Sequence, residues 1–206
     1  MKRLAPVLLA LSILGALPAG ARAAAGWYPA GGVTWARPMD PGVRELYPGG
    51  PGFFAAMGYA WPERLRVEIR MDWFRQSGHP EARLATSADS RLTLTPVSLE
   101  AHGRIGHGPL RPYASAGAAL VFSEERFTYA MFETRSSVTG KRTDVAGLLG
   151  LGLETRREGL TVRFGLRSLL TTGHRRVVRA TGRTDESTGD RAHPSLFTAG
   201  LEFQVR

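Results

Sequence analysis

Residues 65–73 read Leu65-Arg66-Val67-Glu68-Ile69-Arg70-Met71-Asp72-Trp73. Every odd position is apolar and every even position is charged. A β-strand turns successive side chains to opposite faces, so this period of two gives one strand an apolar face and a charged face. A strand of a soluble sandwich alternates as well, with its charged face in water. How such strands are joined, and what precedes them, decides between the two settings.

The alternation recurs along the chain. Gly31 to Arg37 is a first strand, with Val33 and Trp35 on one face. Pro38 to Gly50 is loop-like. Gly52 to Trp61 is a second strand, with Phe53, Met57, Tyr59 and Trp61 on one face and Ala56, Gly58 and Ala60 on the other. Trp61-Pro62-Glu63 is a tight turn, because proline presets its backbone angle. The third strand runs from Arg64 to about Arg75, followed by a polar loop from Gln76 to Ser90. The fourth covers Arg91 to Ile105, where Val97, Leu99, Ala101 and Ile105 oppose Ser98, Glu100, His102 and Arg104. Leu92 and Leu94 have the other parity, so a bulge is expected at Pro96.

A short turn, Gly106 to Pro109, leads to an alanine-rich fifth strand from Leu110 to Phe122. Ser123 to Thr143 reads as a long loop of mixed charge. The sixth strand, Asp144 to Arg156, sets Val145, Leu149, Leu151 and Leu153 against Gly150, Gly152 and Glu154. Arg157-Glu158-Gly159 is a tight turn into the seventh, Leu160 to Leu170, which sets Leu160, Val162, Phe164 and Leu166 against Arg163 and Arg167. Thr171 to Pro194 is the longest loop. The last strand, Ser195 to Arg206, sets Phe197, Leu201, Phe203 and Val205 against Glu202 and Gln204.

Eight strands result, joined by connections that are alternately long and short. In an up-and-down barrel this puts all the long connections on one side. An even strand number, strands of about ten residues and one-sided long loops are the marks of an outer-membrane barrel, apolar toward lipid and polar toward its lumen. The expected fold class is therefore all-β, an eight-stranded antiparallel up-and-down transmembrane β-barrel after a cleaved signal peptide. Residues 1–23 supply that signal: Lys2 and Arg3, an apolar stretch from Leu4 to Leu17, and Ala21-Arg22-Ala23 as a cleavage site, with Ala25 almost equally good. Residues 24–206 form the barrel domain. A mean hydropathy of −0.15 suits it, since alternation averages two opposite faces.

The chain has no cysteine, which excludes disulfides, cysteine-metal sites and a lipoprotein anchor. After the signal there is no apolar run long enough for a spanning helix. Net charge is +9, and +6 without Lys2, Arg3 and Arg22. The basic residues are scattered in an exported chain, so nucleic acid is not the expected partner. Anionic headgroups of outer-membrane lipid or lipopolysaccharide phosphates are.

The strand rhythm, Pro109-Leu110-Arg111-Pro112-Tyr113 entering a Gly/Ala strand that ends at Phe122, and the closing Gly200-Leu201-Glu202-Phe203 together resemble the eight-stranded outer-membrane proteins of the OmpX/OmpW/OmpA-barrel type. That resemblance covers the whole mature chain. It implies residence in a bacterial outer membrane, delivery by the barrel insertion machinery and a monomeric state. Such barrels usually end in an aromatic residue that the machinery reads. Here Gln204-Val205-Arg206 follows Phe203, which keeps a soluble periplasmic barrel as an alternative.

Turning the non-apolar faces inward collects Arg66, Arg70, Arg104, Arg163 and Arg167 with Glu68, Asp72, Glu100, Glu154 and Glu202, and with His102. Buried charges must be paired, and an eight-stranded barrel is just wide enough for side chains to fill. The balanced set reads as a structural lumen network that neutralises itself. A narrow ion path through the same residues is the alternative.

No metal, cofactor or catalytic residue is expected. Of the histidines, His79, His107, His174 and His193 fall in loops or turns, and no pair has metal-ligand spacing. His102 is expected to hydrogen-bond Glu100 or an arginine. His193-Pro194-Ser195 with Glu202 offers the residue types of a nucleophilic triad, but Ser195 and Glu202 differ in parity. Trp35, Tyr59, Trp61, Trp73, Tyr113 and Phe122 lie near strand ends or on the outward face, as interface aromatics do, although Tyr113 has inward parity. The expected function is a structural or interaction role through long outer loops. The alternatives are transport or binding of a small apolar solute, with room left by the small residues of strands two and five, a lipid A-modifying enzyme, and a soluble lipocalin-like carrier with its apolar faces inward.

Overall fold

The computed structural model describes residues 25–39, 41–61, 65–78, 87–106, 108–131, 134–157, 160–172, 176–180, 183–187 and 196–205. The signal reading over residues 1–23 lies outside them. In chain order the elements are β1 (Gly26–Pro38), α1 (Pro41–Leu46), β2 (Gly50–Ala60), β3 (Leu65–Gly78), β4 (Ser87–Arg104), β5 (Leu110–Met131), β6 (Thr134–Arg157), β7 (Leu160–Thr172), β8 (Arg176–Ala180), β9 (Arg183–Ser187) and β10 (Leu196–Val205).

Strands β1 to β7 and β10 pair antiparallel with their neighbours, and the β1–β10 and β5–β6 pairings close the ring. The fold is an eight-stranded up-and-down barrel. Its faces are inverted relative to a soluble protein. Leu151 is 66% exposed and Ile69 60%, whereas Glu68 and Glu100 are 0% exposed. Apolar residues outside and charges inside are stable only where the surrounding medium is hydrocarbon. This arrangement overturns the soluble-carrier alternative, which needs the apolar faces inward.

Aromatic rings mark both edges of the outward apolar band. Trp27, Tyr59 and Trp61 meet edge-on at the short-turn end, with ring centroids 5.5 and 4.9 Å apart. Toward the long-loop end, Phe53 and Trp73 pack at 5.1 Å. Tyr113 is not among them; it is buried in the lumen.

Four expectations change. No bulge forms at Pro96: β4 and β5 stay in one register from Ser87↔Ala130 to Arg104↔Tyr113. The strand tolerates the missing N–H because β3–β4 pairing is interrupted opposite it, between Met71↔Val97 and Phe74↔Leu94. Leu92 and Leu94 therefore share the inward face with Glu100. Second, Ser123 to Thr143 is not a loop. Strands β5 and β6 pair without a break as far as Met131↔Thr134. Cross-strand pairs such as Glu124 and Lys141, 3.2 Å apart, continue the ladder. The nine residues past Phe122 carry this hairpin roughly 30 Å along the strand. Third, β8 and β9 form a second hairpin in the longest connection, and β8 pairs with the β6 extension at Thr139↔Arg179. Fourth, β1 begins at Gly26, not Gly31, and the first connection contains α1.

The band gives the first prediction. Leu151→Arg places a cation near the bilayer midplane, which costs about 2–4 kcal/mol. Thr139→Arg, on the outer hairpin, avoids that cost. Folding into liposomes, followed by the mobility shift of the unheated protein in gels, should fall sharply for Leu151→Arg alone.

Candidate functional site

The lumen is the only described region where chemistry-bearing side chains converge, and its order follows from strand geometry. On β3, Glu68, Arg70 and Asp72 point inward at successive alternate positions. On β7, Arg163, Gly165 and Arg167 do the same. Strands β3 and β7 lie diametrically opposite in the ring and run the same way. Equal spacing on both lets two rungs form across the diameter. Arg163 Nη2 donates to Glu68 at 2.8 Å, and Arg167 Nη1 to Asp72 at 3.1 Å.

Other strands tie the rungs together. Arg70 donates to Asp72 at 2.7 Å and lies 3.5 Å from Glu202 of β10, which also pairs with Arg163. Arg167 bonds Glu100 of β4, whose other close partner is the Ser98 hydroxyl at 2.6 Å. The result is a run of alternating sign: Glu68, Arg163, Glu202, Arg70, Asp72, Arg167, Glu100. A second group lies nearer the short turns. There Glu154 holds Arg66 at 2.7 Å and Arg104 at 3.6 Å. The Tyr113 ring bridges the groups, 5.6 Å from the Arg66 guanidinium and 6.0 Å from that of Arg163. All eleven residues anticipated for the lumen network thus lie in one connected region.

His102 departs from expectation. Its Nε2 is 3.7 Å from Glu100 and 4.0 Å from Glu68, and neither ring nitrogen has a hydrogen-bond partner among the described residues. The ring packs on Tyr113 instead, with centroids 5.9 Å apart. The carboxylate oxygens that face it, Glu68 Oε1 and Glu100 Oε2, are likewise without a hydrogen-bond partner among the described residues.

Two tyrosines fill the space that small residues leave. A Cβ at Gly58 would stand 2.5 Å from the Tyr28 ring, and one at Gly152 would stand 2.5 Å from Tyr113. Tyr28 also donates to Glu68 at 3.0 Å. Tyr28 thus occupies space over the small residues of β2, and Tyr113 stands over Gly152 of β6 and Gly165 of β7. A cavity of about 10 Å³ in the charged layer is bordered by Arg70, Tyr113, Arg167 and Glu202. That is about the volume one water centre needs.

Above the charges, toward the long loops, sits an apolar layer. Phe74, Leu92, Leu94, Val121, Leu148, Leu169 and Leu196 are buried together. Val43 of α1 packs on them from above, and so does Tyr47, whose hydroxyl spans the mouth to Glu125 at 2.8 Å. Burial pushes that hydroxyl above the usual tyrosine range, so it remains a donor. Alternation had hidden this layer. Its signal is a set of apolar doublets near the outer strand ends: Trp73-Phe74, Leu120-Val121, Leu148-Leu149, Leu169-Leu170 and Leu196-Phe197. A doublet makes both faces apolar.

Of the triad residue types, His193, Pro194 and Ser195 lie outside the described residues, as do His79, His107 and His174. Glu202 is engaged by Arg70 and Arg163. Among the described residues no cluster of three metal-ligating side chains occurs.

An inverted eight-stranded ring with a self-neutralised interior defines a membrane barrel. The chain belongs to the outer membrane protein beta-barrel domain family, whose model matches residues 7–203, and it resides in the bacterial outer membrane. Its fold is similar to that of the outer membrane protein OprG from Pseudomonas aeruginosa, with TM-score 0.56 and 14% identity over 89% of this chain and 97% of that one. It is also similar to a major outer membrane protein from Thermus thermophilus, with TM-score 0.54 and 14% identity over 86% and 98%. The attachment invasion locus protein Ail of Yersinia pestis gives TM-score 0.53 and 14% identity over 88% and 98%. A comparison with curated protein sequences finds no match.

The network yields a second prediction. Arg167→Ala strips Glu100 and Asp72 of a shared guanidinium. Breaking a buried pair from one side costs about 3–5 kcal/mol. Arg126→Ala, on the outer hairpin, should cost less than about 1 kcal/mol. Urea unfolding in lipid vesicles should separate the two variants by at least about 2 kcal/mol, at the low end of that difference.

Proposed function

We propose that this protein is a closed, non-enzymatic barrel of the outer membrane that acts through the structure it presents outside. Its role is structural or one of interaction, carried by the β5–β6 hairpin with β8 and β9 beside it. One observation supports this reading above the others. The lumen is filled over its height by a charged layer and an apolar layer, with a residual cavity of about 10 Å³ in the charged one. An ion entering from the short-turn end meets arginines already committed to carboxylates, and then a layer dominated by buried aliphatic and aromatic side chains. A small apolar solute meets the same two layers in reverse order. Glu202, the acidic group a nucleophilic site would need, is bound by two arginines.

Planar bilayers test the seal. Native protein should show at most small, rare openings, and Arg70→Ala should add little conductance. Steady, large single-channel currents from native protein would overturn the proposal in favour of transport. Cysteine labelling tests which end faces out. Ser137→Cys, on the outer hairpin, should react with an impermeant maleimide on intact cells, and Gly108→Cys, at a short turn, should not.

A further inference from the structure

The outward face carries a band of cations at its long-loop rim. Arg37, Arg75, Arg91, Arg126 and Lys141 face outward on β1, β3, β4, β5 and β6, each beyond the apolar band. At the other rim the described outward side chains include Trp27, Trp61, Leu65, Ile105, Leu110 and Leu160. Each lumen arginine has a carboxylate within 4.0 Å, the longest such approach being the 3.6 Å of Arg104. By contrast, Arg75, Arg91 and Arg126 take part in no ion pair among the described residues, and the Arg91 Nε is buried without a hydrogen-bond partner there.

Register aggravates the imbalance. Arg91 and Arg126 stand directly opposite each other, and Arg75 pairs with Thr93, one diagonal from Arg91. Like charges directly opposite on a sheet repel. Two carboxylates share this face. Glu124 is held by Lys141 at 3.2 Å, and Asp89 lies two residues above Arg91, exposed. Among the described residues neither carboxylate lies within 4.0 Å of the arginine pair, and this face carries more cations than anions.

A groove of about 560 Å³ adjoins the arginines on the membrane side, lined by Thr93, Thr95, Phe122, Glu124, Lys141 and Thr143. It offers hydroxyl donors at the level where the apolar band ends. Arg126 lies four residues above Phe122, about 13 Å along the strand. In height this is less, because barrel strands tilt by about 35–45°. The site therefore sits at the outer headgroup layer.

We propose that Arg75, Arg91 and Arg126, with the threonine groove below them, seat a phosphate monoester carried by an outer-leaflet glycolipid. A monoester bears about −1.5 to −2 charges near neutral pH and presents three acceptor oxygens. Two opposed guanidiniums supply matching charge and paired donors. The threonine hydroxyls face the sugar, and Phe122 with Leu120 below it continues the surface along the acyl chains. A phosphodiester headgroup, with a single charge, fills the pair only halfway. The site stands on the outward face, so it holds whether or not the lumen conducts.

The test uses the mature barrel in phosphatidylcholine nanodiscs, titrated with a bisphosphorylated diglucosamine glycolipid, its enzymatically dephosphorylated form, or phosphatidylglycerol. Native mass spectrometry counts the retained lipids. The bisphosphorylated lipid should bind at least tenfold tighter than the other two. Arg91→Ala with Arg126→Ala should bring it down to the dephosphorylated level. Arg91→Lys with Arg126→Lys should keep most of the affinity, and Arg44→Ala on α1 should change nothing. If the alanine pair fails to fold, the dephosphorylated lipid and the lysine pair still decide. Equal retention of all three lipids by native protein, or unchanged affinity in a folded alanine pair, overturns the site. Preference for phosphatidylglycerol overturns the monoester.

Discussion

Hydrocarbon offers no hydrogen bonds, so a backbone that enters it as strands must pair every strand on both sides. Ring closure between β1 and β10 follows from that requirement, and the remaining design follows from closure. Eight strands enclose a lumen only as wide as its own side chains. Whatever points inward has no water to spare, so it must be paired, stacked or apolar. The protein uses all three solutions, each at its own height: ion pairs low in the barrel, tyrosine rings over glycines among them, and a leucine-rich layer above.

The charged layer owes its order to a numerical coincidence between strands. Glu68 and Asp72 are four residues apart, as are Arg163 and Arg167, and β3 and β7 run in the same direction across the diameter. Gly165 opposite Arg70 leaves room where two arginines would otherwise meet, and the Tyr113 hydroxyl occupies it. Burying such a network is not itself a source of stability, because desolvation offsets the attraction between its members. Its contribution is to specify one register. A shift of one strand by two residues would bring like charges together inside a dry space. The outside is organised on the opposite plan, with more cations than anions at the rim that meets the outer headgroups.

Much of this was legible in the residues. Strict alternation in 65–73 and in 97–105 gave both the strands and the inward charges, because period two leaves no choice of face. Alternating connection lengths gave the barrel. Three things were hidden. The apolar layer lay in doublets such as Trp73-Phe74, where alternation stops carrying information. Strand continuation past Phe122 looked like loop because water, not lipid, surrounds it, so both faces are polar and the pattern fades. A bulge was expected at Pro96 because the apolar parity changes there, but Leu92 and Leu94 belong to the inward apolar layer and the strand keeps its phase. His102 was placed on the correct face but assigned a hydrogen bond, since spacing cannot show that its ring stops 3.7 Å short of Glu100 and packs on Tyr113.

The rungs between β3 and β7 also constrain how the molecule is assembled. Glu68 belongs to the third strand, but the guanidinium that pairs with it, Arg163, arrives on the seventh; Asp72 has Arg70 beside it and gains Arg167 only then. Until those late segments are in place, a half-built sheet would expose uncompensated charge to the bilayer interior. Insertion one hairpin at a time would carry Glu68 into the membrane ahead of its partner. Strand docking and lumen neutralisation are thereby coupled, and a polypeptide lacking its final strand leaves the edges of β1 and β7 unpaired as well.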